Sequence, residues 1–334
     1  MESILTAAHP QRSTNIVPSH LHGILNVLKP VGWTSHDVVL HLRQLLGIQK
    51  IGHAGTLDPA ATGVLPILLG KGTKIASYLL EWEKEYAAVL RLGQSTDTQD
   101  ATGAIIHQTP VDGMSESLIR SVVNEFVGDI QQIPPMYSAV KIKGQPLYRA
   151  ARRGETVERN PRSVTIYRLE TLAVRGCDVD LRVHCSKGTY IRTLCADIGD
   201  RLKVGGHLLW LERSRVGPFS VQDALDVDGL TEARLSSEMS RSFLTIDEAL
   251  PQLPVVVVMK AEDMKKVMNG VPIPWKDILV NQDENMSKIG EGQRVRIRDI
   301  QGQLLAIGIT GSSTRSSGGH EMGTVRVETM CIER

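Results

Sequence analysis

Residues 51–74 read IGHAGTLDPAATGVLPILLGKGTK, and they place one acid, Asp58, in a loop punctuated by glycine and proline between two apolar segments. Gly52, Gly55 and Gly63 permit tight turns or close approach to a ligand, and Pro59 restricts Asp58 to extended backbone. The carboxylate is therefore held by backbone chemistry rather than by helix packing. Local chemistry alone leaves two readings of equal weight: a surface turn in which Asp58 hydrogen-bonds its own backbone, or a fixed functional acid. His53 and Thr56 in the same loop favour the second, as does LPILLG, which carries the chain straight into an apolar run.

Working outward, GILNVLKP reads as a strand ending at Pro30, and Ser35 is the expected cap of the apolar-periodic helix DVVLHLRQLL, stopped by Gly47. Downstream, Lys84–Leu92 reads as a strand and residues 116–126 as a helix capped by Ser115. Residues 131–161 read as a long functional insertion rather than regular core. Val179, Leu181 and Val183 alternate with Asp178, Asp180, Arg182 and His184, the pattern of a half-buried strand. Thr189 is the expected cap of the next helix, whose apolar stripe is Ile191, Leu194, Ile198 and Leu202. Arg192 departs from that stripe, and its place in the first turn beside Tyr190 lets a cation reach toward a neighbouring loop.

The chain has 334 residues, 41% of them hydrophobic, enough for a large core and two or three domains. No stretch approaches a transmembrane span, and MESILTAAHPQRSTN lacks the basic start and apolar core of a signal peptide, so a cytoplasmic location is expected. The four cysteines, Cys177, Cys185, Cys195 and Cys331, form no close pair and no zinc-ligand pattern, and are expected as free thiols. GKGTK at residues 70–74 lacks the spacing of a nucleotide-triphosphate loop, and the chain carries neither a dinucleotide fingerprint nor a persuasive metal-ligand cluster.

A formal charge of +1 neither requires nor forbids an RNA partner. Between residues 141 and 168, however, Lys141, Lys143, Arg149, Arg152, Arg153, Arg159, Arg162 and Arg168 face only Glu155 and Glu158. Such a patch attracts a polyanion through phosphate neutralisation and counterion release; a solvated basic loop is the bland alternative. Tyr137 and Tyr148 beside it can contact splayed nucleotides or pin the insertion onto the core.

Several blocks, in order and spacing, carry a family resemblance: GHAGTLDPAATGVLP at residues 52–66, KEY at 84–86, LGQSTDTQDATG at 92–103, QQIPPMYSAVKIKGQPLYRAARRG at 131–154 and SKGTYIRTLCADIG at 186–199. Together they resemble the TruB family, enzymes that make pseudouridine in the T-loop of transfer RNA, over roughly residues 23–219. The resemblance implies an α/β (α+β) pseudouridine synthase fold with a mixed or antiparallel sheet. Its implied division is a tail at 1–20, a catalytic domain at 21–250 with an RNA-binding insertion at 131–161, and a C-terminal module at 251–334. That module, with LPVVVVM, RVRIRD, QLLAIGIT and TVRVETM as strands, a helix at about 262–268 and the stretch GSSTRSSGGHEMG, resembles a PUA-type RNA-binding barrel, with a structural cap as the alternative. Lys265, Lys266, Arg294, Arg296 and Arg298 are phosphate contacts only in the weak sense that any half-exposed sheet carries such residues.

The resemblance maps the family's catalytic aspartate onto Asp58. The bond from ribose C1′ to uracil N1 must break, the base must rotate, and C1′ must join C5. Asp58 attacks C1′, adds to C6, or directs a transient glycal, and the sequence leaves all three open. Tyr86 is the implied stacking partner with a phenol placed to assist proton removal; a strand-edge core tyrosine is its alternative. Arg192 is implied to pair with Asp58 through a charge-assisted fork, or else to form a helix-surface salt bridge. Tyr190 is implied to pack beneath the base or to hydrogen-bond near the Asp58 and Arg192 pair, and Leu211 to supply part of the apolar pocket, with core residues as the alternative for both. His53 beside an aspartate suggests a proton relay, but the resemblance implies instead that it wedges into the RNA loop; Lys74 is implied to add positive charge near phosphate or the pocket, with a solvated lysine as its alternative, and Arg149, Arg152 and Arg153 of the basic patch are expected to hold the RNA. The implied partner is the T-arm of tRNA, bound by a monomer with no obligate protein partner, no membrane and no cofactor, since isomerisation involves no net oxidation or group donor. A tRNA-binding or folding protein with catalysis lost or secondary is the runner-up, and a base-removing hydrolase a distant third.

Overall fold

In the computed structural model, residues 21–138, 140–142, 144–155, 157–280, 289–311 and 323–332 are described. Strand β1 (Gly23–Lys29) leads through helix α1 (Ser35–Leu46) and the short strand β2 (Ile51–His53) to β3 (Thr62–Leu69). β3 runs antiparallel to both strands, pairing Lys29 with Gly63 and His53 with Ile67. The Asp58 loop is thus the crossing between two paired strands, closed at its base by backbone hydrogen bonds. Val38, Val39, Leu42 and Leu46 form the buried stripe of α1, and Gly47, at φ 64°, ends it in the left-handed conformation that glycine adopts without strain.

The cap of α1 differs from expectation by one residue. Thr34 is the N-cap, in a reciprocal capping box with Asp37, while Ser35 is the first helical residue and is buried. The Ser35 hydroxyl instead accepts from the Leu57 N–H at 2.9 Å and approaches the Leu57 carbonyl at 3.2 Å. It thereby staples the start of α1 to the residue preceding Asp58.

After α2 (Ala76–Leu80) the chain forms β4 (Lys84–Leu92), the hairpin β5 (Gln94–Thr96) and β6 (Ile105–Gln108), α3 (Glu116–Asn124) and β7 (Gly128–Gln132). Ser115 caps α3 as expected, but the helix stops at Asn124, two residues short. The insertion holds β8 (Lys141–Ile142), β9 (Gln145–Pro146) and α4 (Leu147–Arg152), then returns as β10 (Arg162–Arg175) and β11 (Asp178–Cys185). Its first two residues, Gln131 and Gln132, belong to β7 and hence to the main sheet, so the irregular segment begins later than expected. Lys143 and the side chains of Lys141, Tyr148 and Arg152 lie outside the described residues.

Helix α5 (Ile191–Arg201) and β12 (Gly206–Val216) follow, then β13 (Phe219–Ser220), β14 (Leu225–Asp226), α6 (Glu232–Ser242) and β15 (Phe243–Leu244). Thr189 does not cap α5: Tyr190 holds that position without a side-chain cap, and the Thr189 hydroxyl donates to the Ser186 carbonyl at 3.0 Å. The 11-stranded sheet runs β14-β1-β3-β12-β4-β11-β10-β7, with β2, β13 and β15 attached at its sides. β4 alternates strictly, burying Lys84, Tyr86, Ala88, Leu90 and Leu92 on one face. That face packs against Leu194 and Ile198 of α5, and each fully buried leucine there contributes roughly 1.5–3 kcal/mol.

The C-terminal strands, β16 (Val255–Val258), β17 (Ile273–Pro274), β18 (Ile278–Val280), β19 (Arg294–Asp299), β20 (Leu304–Gly311) and β21 (Thr324–Met330), form a near-barrel sheet of order β17-β21-β20-β19-β16-β18. Helix α7 (Ala261–Met268) lies where the sequence places one, while most of GSSTRSSGGHEMG falls outside the described residues. Ile307 and Cys331 pack with Ile24, Val64 and Leu68, joining this module to the first sheet. Three arginines of β19 turn toward protein: Arg294 pairs with Glu328 at 2.7 Å and sits over the Tyr78 ring, and Arg296 and Arg298 share Asp247 at 3.2 and 2.8 Å. All four cysteines are free thiols. Among the described residues, no helix is long and apolar enough to cross a membrane.

Candidate active site

Three parts of the chain converge at Asp58. Its own loop is anchored by Lys29, buried at the end of β1, whose Nζ donates to the carbonyls of Pro30 (2.8 Å), Trp33 (2.7 Å) and Pro59 (3.3 Å). Burial pulls that lysine down to about 8. The second part is the first turn of α5, where Arg192 is only 4% exposed. Arg192 Nε lies 3.0 Å from Asp58 Oδ2, and Nη1 lies 3.5 Å from Asp100 Oδ2. Its remaining N–H groups donate to the carbonyls of Thr98 at 3.2 Å and Tyr137 at 2.7 Å. The guanidinium therefore ties the acid to the β5–β6 hairpin and to the insertion at once. Asp100 is itself held by the Thr98 hydroxyl at 2.7 Å and the Thr102 N–H at 2.9 Å.

The third part is the β4–β12 ladder, which supplies Tyr86 and Leu211. Asp58, Tyr86, Tyr190, Arg192 and Leu211 all line one cavity of about 340 Å³, closed on other sides by Lys84, Tyr137 and Arg213. A larger cavity of about 660 Å³ lies at the seam with the C-terminal module, lined by His22, Lys71 and Asp247 among others, and contains none of these groups. The smaller one is the candidate site, where a fixed acid, an aromatic ring and an apolar side chain meet.

The Asp58 side chain keeps 40% of its surface open to the cavity mouth. Surrounding protein nevertheless pushes its carboxyl above the ordinary range; Arg192 pulls the other way and Asp100 adds to the rise. Tyr86 is pushed up to about 12 by burial, which keeps it a neutral phenol at pH 7. Burial lowers Lys84 to about 8, and its Nζ donates to the Leu80 and Trp82 carbonyls. Burial lowers the His53 pKa, and the residue sits in β2, outside the cavity lining.

The remaining sequence-chosen residues lie elsewhere. Lys74 donates to the Met330 carbonyl at 3.0 Å and so lies at the seam rather than in the cavity. Arg149 is exposed on α4, and Arg153, also exposed, is already forked onto Glu155 at 2.7 and 2.8 Å. Arg213 went unrecognised in sequence although it reaches the same cavity, because its place depends on strand register. Gln132 was likewise unseen: its amide brackets Tyr190, donating to the carbonyl at 3.2 Å and accepting from the N–H at 3.0 Å. Among the described residues, no group of three or more His, Cys, Asp or Glu is placed to hold a metal ion.

The pattern of the TruB family pseudouridylate synthase N-terminal domain matches residues 43–191, and that of the tRNA pseudouridylate synthase B C-terminal domain matches residues 192–251. The chain is 41% identical to tRNA pseudouridine synthase B of Syntrophotalea carbinolica, covering 90% of this chain and 95% of that protein. It is 42% identical to the protein of the same name from Clostridium novyi, covering 87% and 96%. Among solved structures, a chain of a Cbf5-Nop10-Gar1 complex superposes with a TM-score of 0.70 at 30% identity, covering 93% of this chain and 85% of that one. A chain of an H/ACA RNP bound to a substrate RNA containing 2′-deoxyuridine also gives 0.70, at 27% identity, covering 94% and 86%.

Proposed function

The chain belongs to the TruB family of pseudouridylate synthases, and from that premise we propose that it isomerises uridine 55 in the T-loop of tRNA with Asp58 as the acid that acts on the nucleotide. Pseudouridine formation in tRNA is its activity. The observation that carries the finer reading is the 3.0 Å pair of Asp58 and Arg192 at the wall of a cavity that Tyr86 and Leu211 also line.

The isomerisation breaks the C1′–N1 bond, turns the uracil, joins C5 to C1′, and moves the C5 proton off while N1 is protonated. Attack on C1′, addition to C6 and direction of a glycal each need an ionised, oriented carboxylate, and Arg192 supplies both conditions by pairing with it. Tyr86 and Leu211 flank the flipped base, and the Tyr86 phenol assists loss of the C5 proton. Tyr190 packs beneath the base. The catalytic part spans residues 21–250, with the C-terminal module at 251–334 as an RNA-binding partner domain.

For substrate capture, His53 wedges into the T-loop and holds the uridine out of the stack. Arg149, Arg152 and Arg153 of the insertion meet the phosphate backbone, with Lys74 adding only background charge. The partner is the T-arm, recognised by shape, and the chain works as a monomer without an obligate protein partner. Incubation with a T-stem-loop, followed by nucleoside chromatography and site mapping, tests the reading. Pseudouridine at the T-loop uridine is the expected product. Free uracil would indicate base removal, and unchanged RNA that remains bound would indicate a binding protein.

A further inference from the structure

We infer that Arg213 is a positioning residue that sets the Tyr86 hydroxyl against the Asp58 loop, so that acid and phenol meet the nucleotide as one rigid unit. This rests on the active-site reading above, in which Asp58 and Tyr86 both act on the flipped base.

Strand register creates the arrangement. β12 places Arg213 opposite Tyr86 on one side and opposite Gly63 on the other. Gly63 is required there: a Cβ would stand 2.3 Å from the Arg213 carbonyl oxygen, and its φ of +112° disfavours any side chain. This close approach brings the guanidinium beneath the catalytic loop, where Arg213 is 2% exposed. Nε donates to the Val64 carbonyl at 2.8 Å, Nη2 to Gly55 at 3.0 Å and Nη1 to Thr56 at 3.4 Å. Gly55 and Thr56 are the residues that lead into Leu57 and Asp58, so the clamp fixes the path of the loop just before the acid.

Tyr86 stands directly opposite Arg213 across the β4–β12 ladder, so phenol and guanidinium share one face of the sheet and line the same cavity. Arginine has five N–H donors and no acceptor, so toward a facing phenol it can only donate, which leaves the tyrosine proton to point away from Arg213. The cavity that both residues line is the space open to it. Burying a guanidinium costs several kcal/mol, and among the described residues Arg213 meets carbonyl oxygens rather than a paired carboxylate. A neutral side chain of similar length would fill the same volume without that cost. What only the guanidinium supplies is a planar fork that holds the loop while it faces the phenol.

A double-mutant cycle on the full chain tests this, using the parent, Arg213→Lys, Tyr86→Phe and the combined variant. Single-turnover pseudouridine formation is measured on saturating T-stem-loop, alongside RNA binding and thermal unfolding. Arg213→Lys should slow the parent by about 10- to 100-fold with little change in binding, and should slow Tyr86→Phe by a factor at least about tenfold smaller. Equal slowing in both backgrounds would overturn the inference. Arg213→Gln repeats the cycle if Arg213→Lys does not fold; failure of both to fold, with Tyr86→Phe intact, would make Arg213 a fold-holding residue and also overturn it. Unfolding of the same proteins reads the Arg213–Tyr86 contact without reference to activity, so a parent inactive on the T-stem-loop contradicts the substrate reading, while additive unfolding effects contradict the contact.

Discussion

Arg192 Nε lies 3.0 Å from Asp58 Oδ2, a charge pair that joins the first turn of a helix to a loop more than 130 residues earlier in the chain. Arg192 is nearly buried, whereas Asp58 is open to the cavity on its other side. The pair therefore fixes one edge of the carboxylate and leaves the other open to the cavity. Asp100, at 3.5 Å from Nη1, shares the guanidinium.

Removing this cation should affect both fold and chemistry. Arg192→Met leaves Asp58 and Asp100 without their shared partner, and should destabilise the chain by about 3–5 kcal/mol in denaturant titration. Arg192→Lys keeps a charge but loses the planar fork, so it should remain folded and slow single turnover by about 2 kcal/mol in barrier, roughly 30-fold. Full activity in Arg192→Lys would show that the fork is dispensable.

The direction of the Asp58 shift sets a pH dependence. Its carboxyl titrates above the ordinary range, so single-turnover rate should fall on acidification at a higher pH than an unperturbed aspartate would dictate. Asp100→Asn removes a neighbouring negative charge and should move that acid limb to lower pH. A folded value raised above the unfolded one favours the protonated form: the stabilising contribution is complete below the unfolded pKa and lost as pH rises through the folded one. Asp58→Asn should accordingly flatten this part of the pH–stability curve, as thermal scans across the acid range can measure.

Tyr86→Phe preserves the ring and its stacking while deleting the hydroxyl. Binding of a T-stem-loop should stay within about threefold, because a stacked ring carries most of the base contact. Turnover should drop far more than binding. Equal losses in both would assign Tyr86 to capture alone.

Replacing Arg149 and Arg153 by glutamine should weaken RNA binding and lower its salt slope, with the rate at saturating RNA slowed far less. Each phosphate no longer neutralised should reduce the slope by about 0.7–0.9. Arg149 should account for more of the change, since Arg153 must first leave its fork with Glu155. Unchanged salt dependence would place the RNA-binding patch elsewhere.

What could be read from sequence was what local spacing determines. Lys84–Leu92 alternates strictly and is a strand with those bounds. Gly47 ends α1 because its left-handed φ is a local property. Adjacent hydroxyls defeated the capping assignment: Thr34 and Ser35 are both competent, and only the distant Leu57 backbone decides that Ser35 turns inward. Thr189 failed for a related reason, its hydroxyl having found the Ser186 carbonyl. Arg213, Gln132 and the seam position of Lys74 depend on pairings across long stretches of chain, and no local pattern encodes register. The Asp58, Tyr86 and Arg192 constellation is legible only through family-like wording, and their shared cavity supplies the physical reason the three belong together.

Asp58→Asn tests the central claim most directly. The change keeps size and polarity and removes the negative charge, while Arg192 retains Asp100 and two carbonyl partners, so the variant should fold and bind T-stem-loop RNA. Single-turnover formation of pseudouridine, measured with contaminating host enzyme excluded, should fall by at least about a thousandfold. Substantial pseudouridine formation by the well-folded variant would contradict the assignment of Asp58 and return the search to Asp100 and its neighbours.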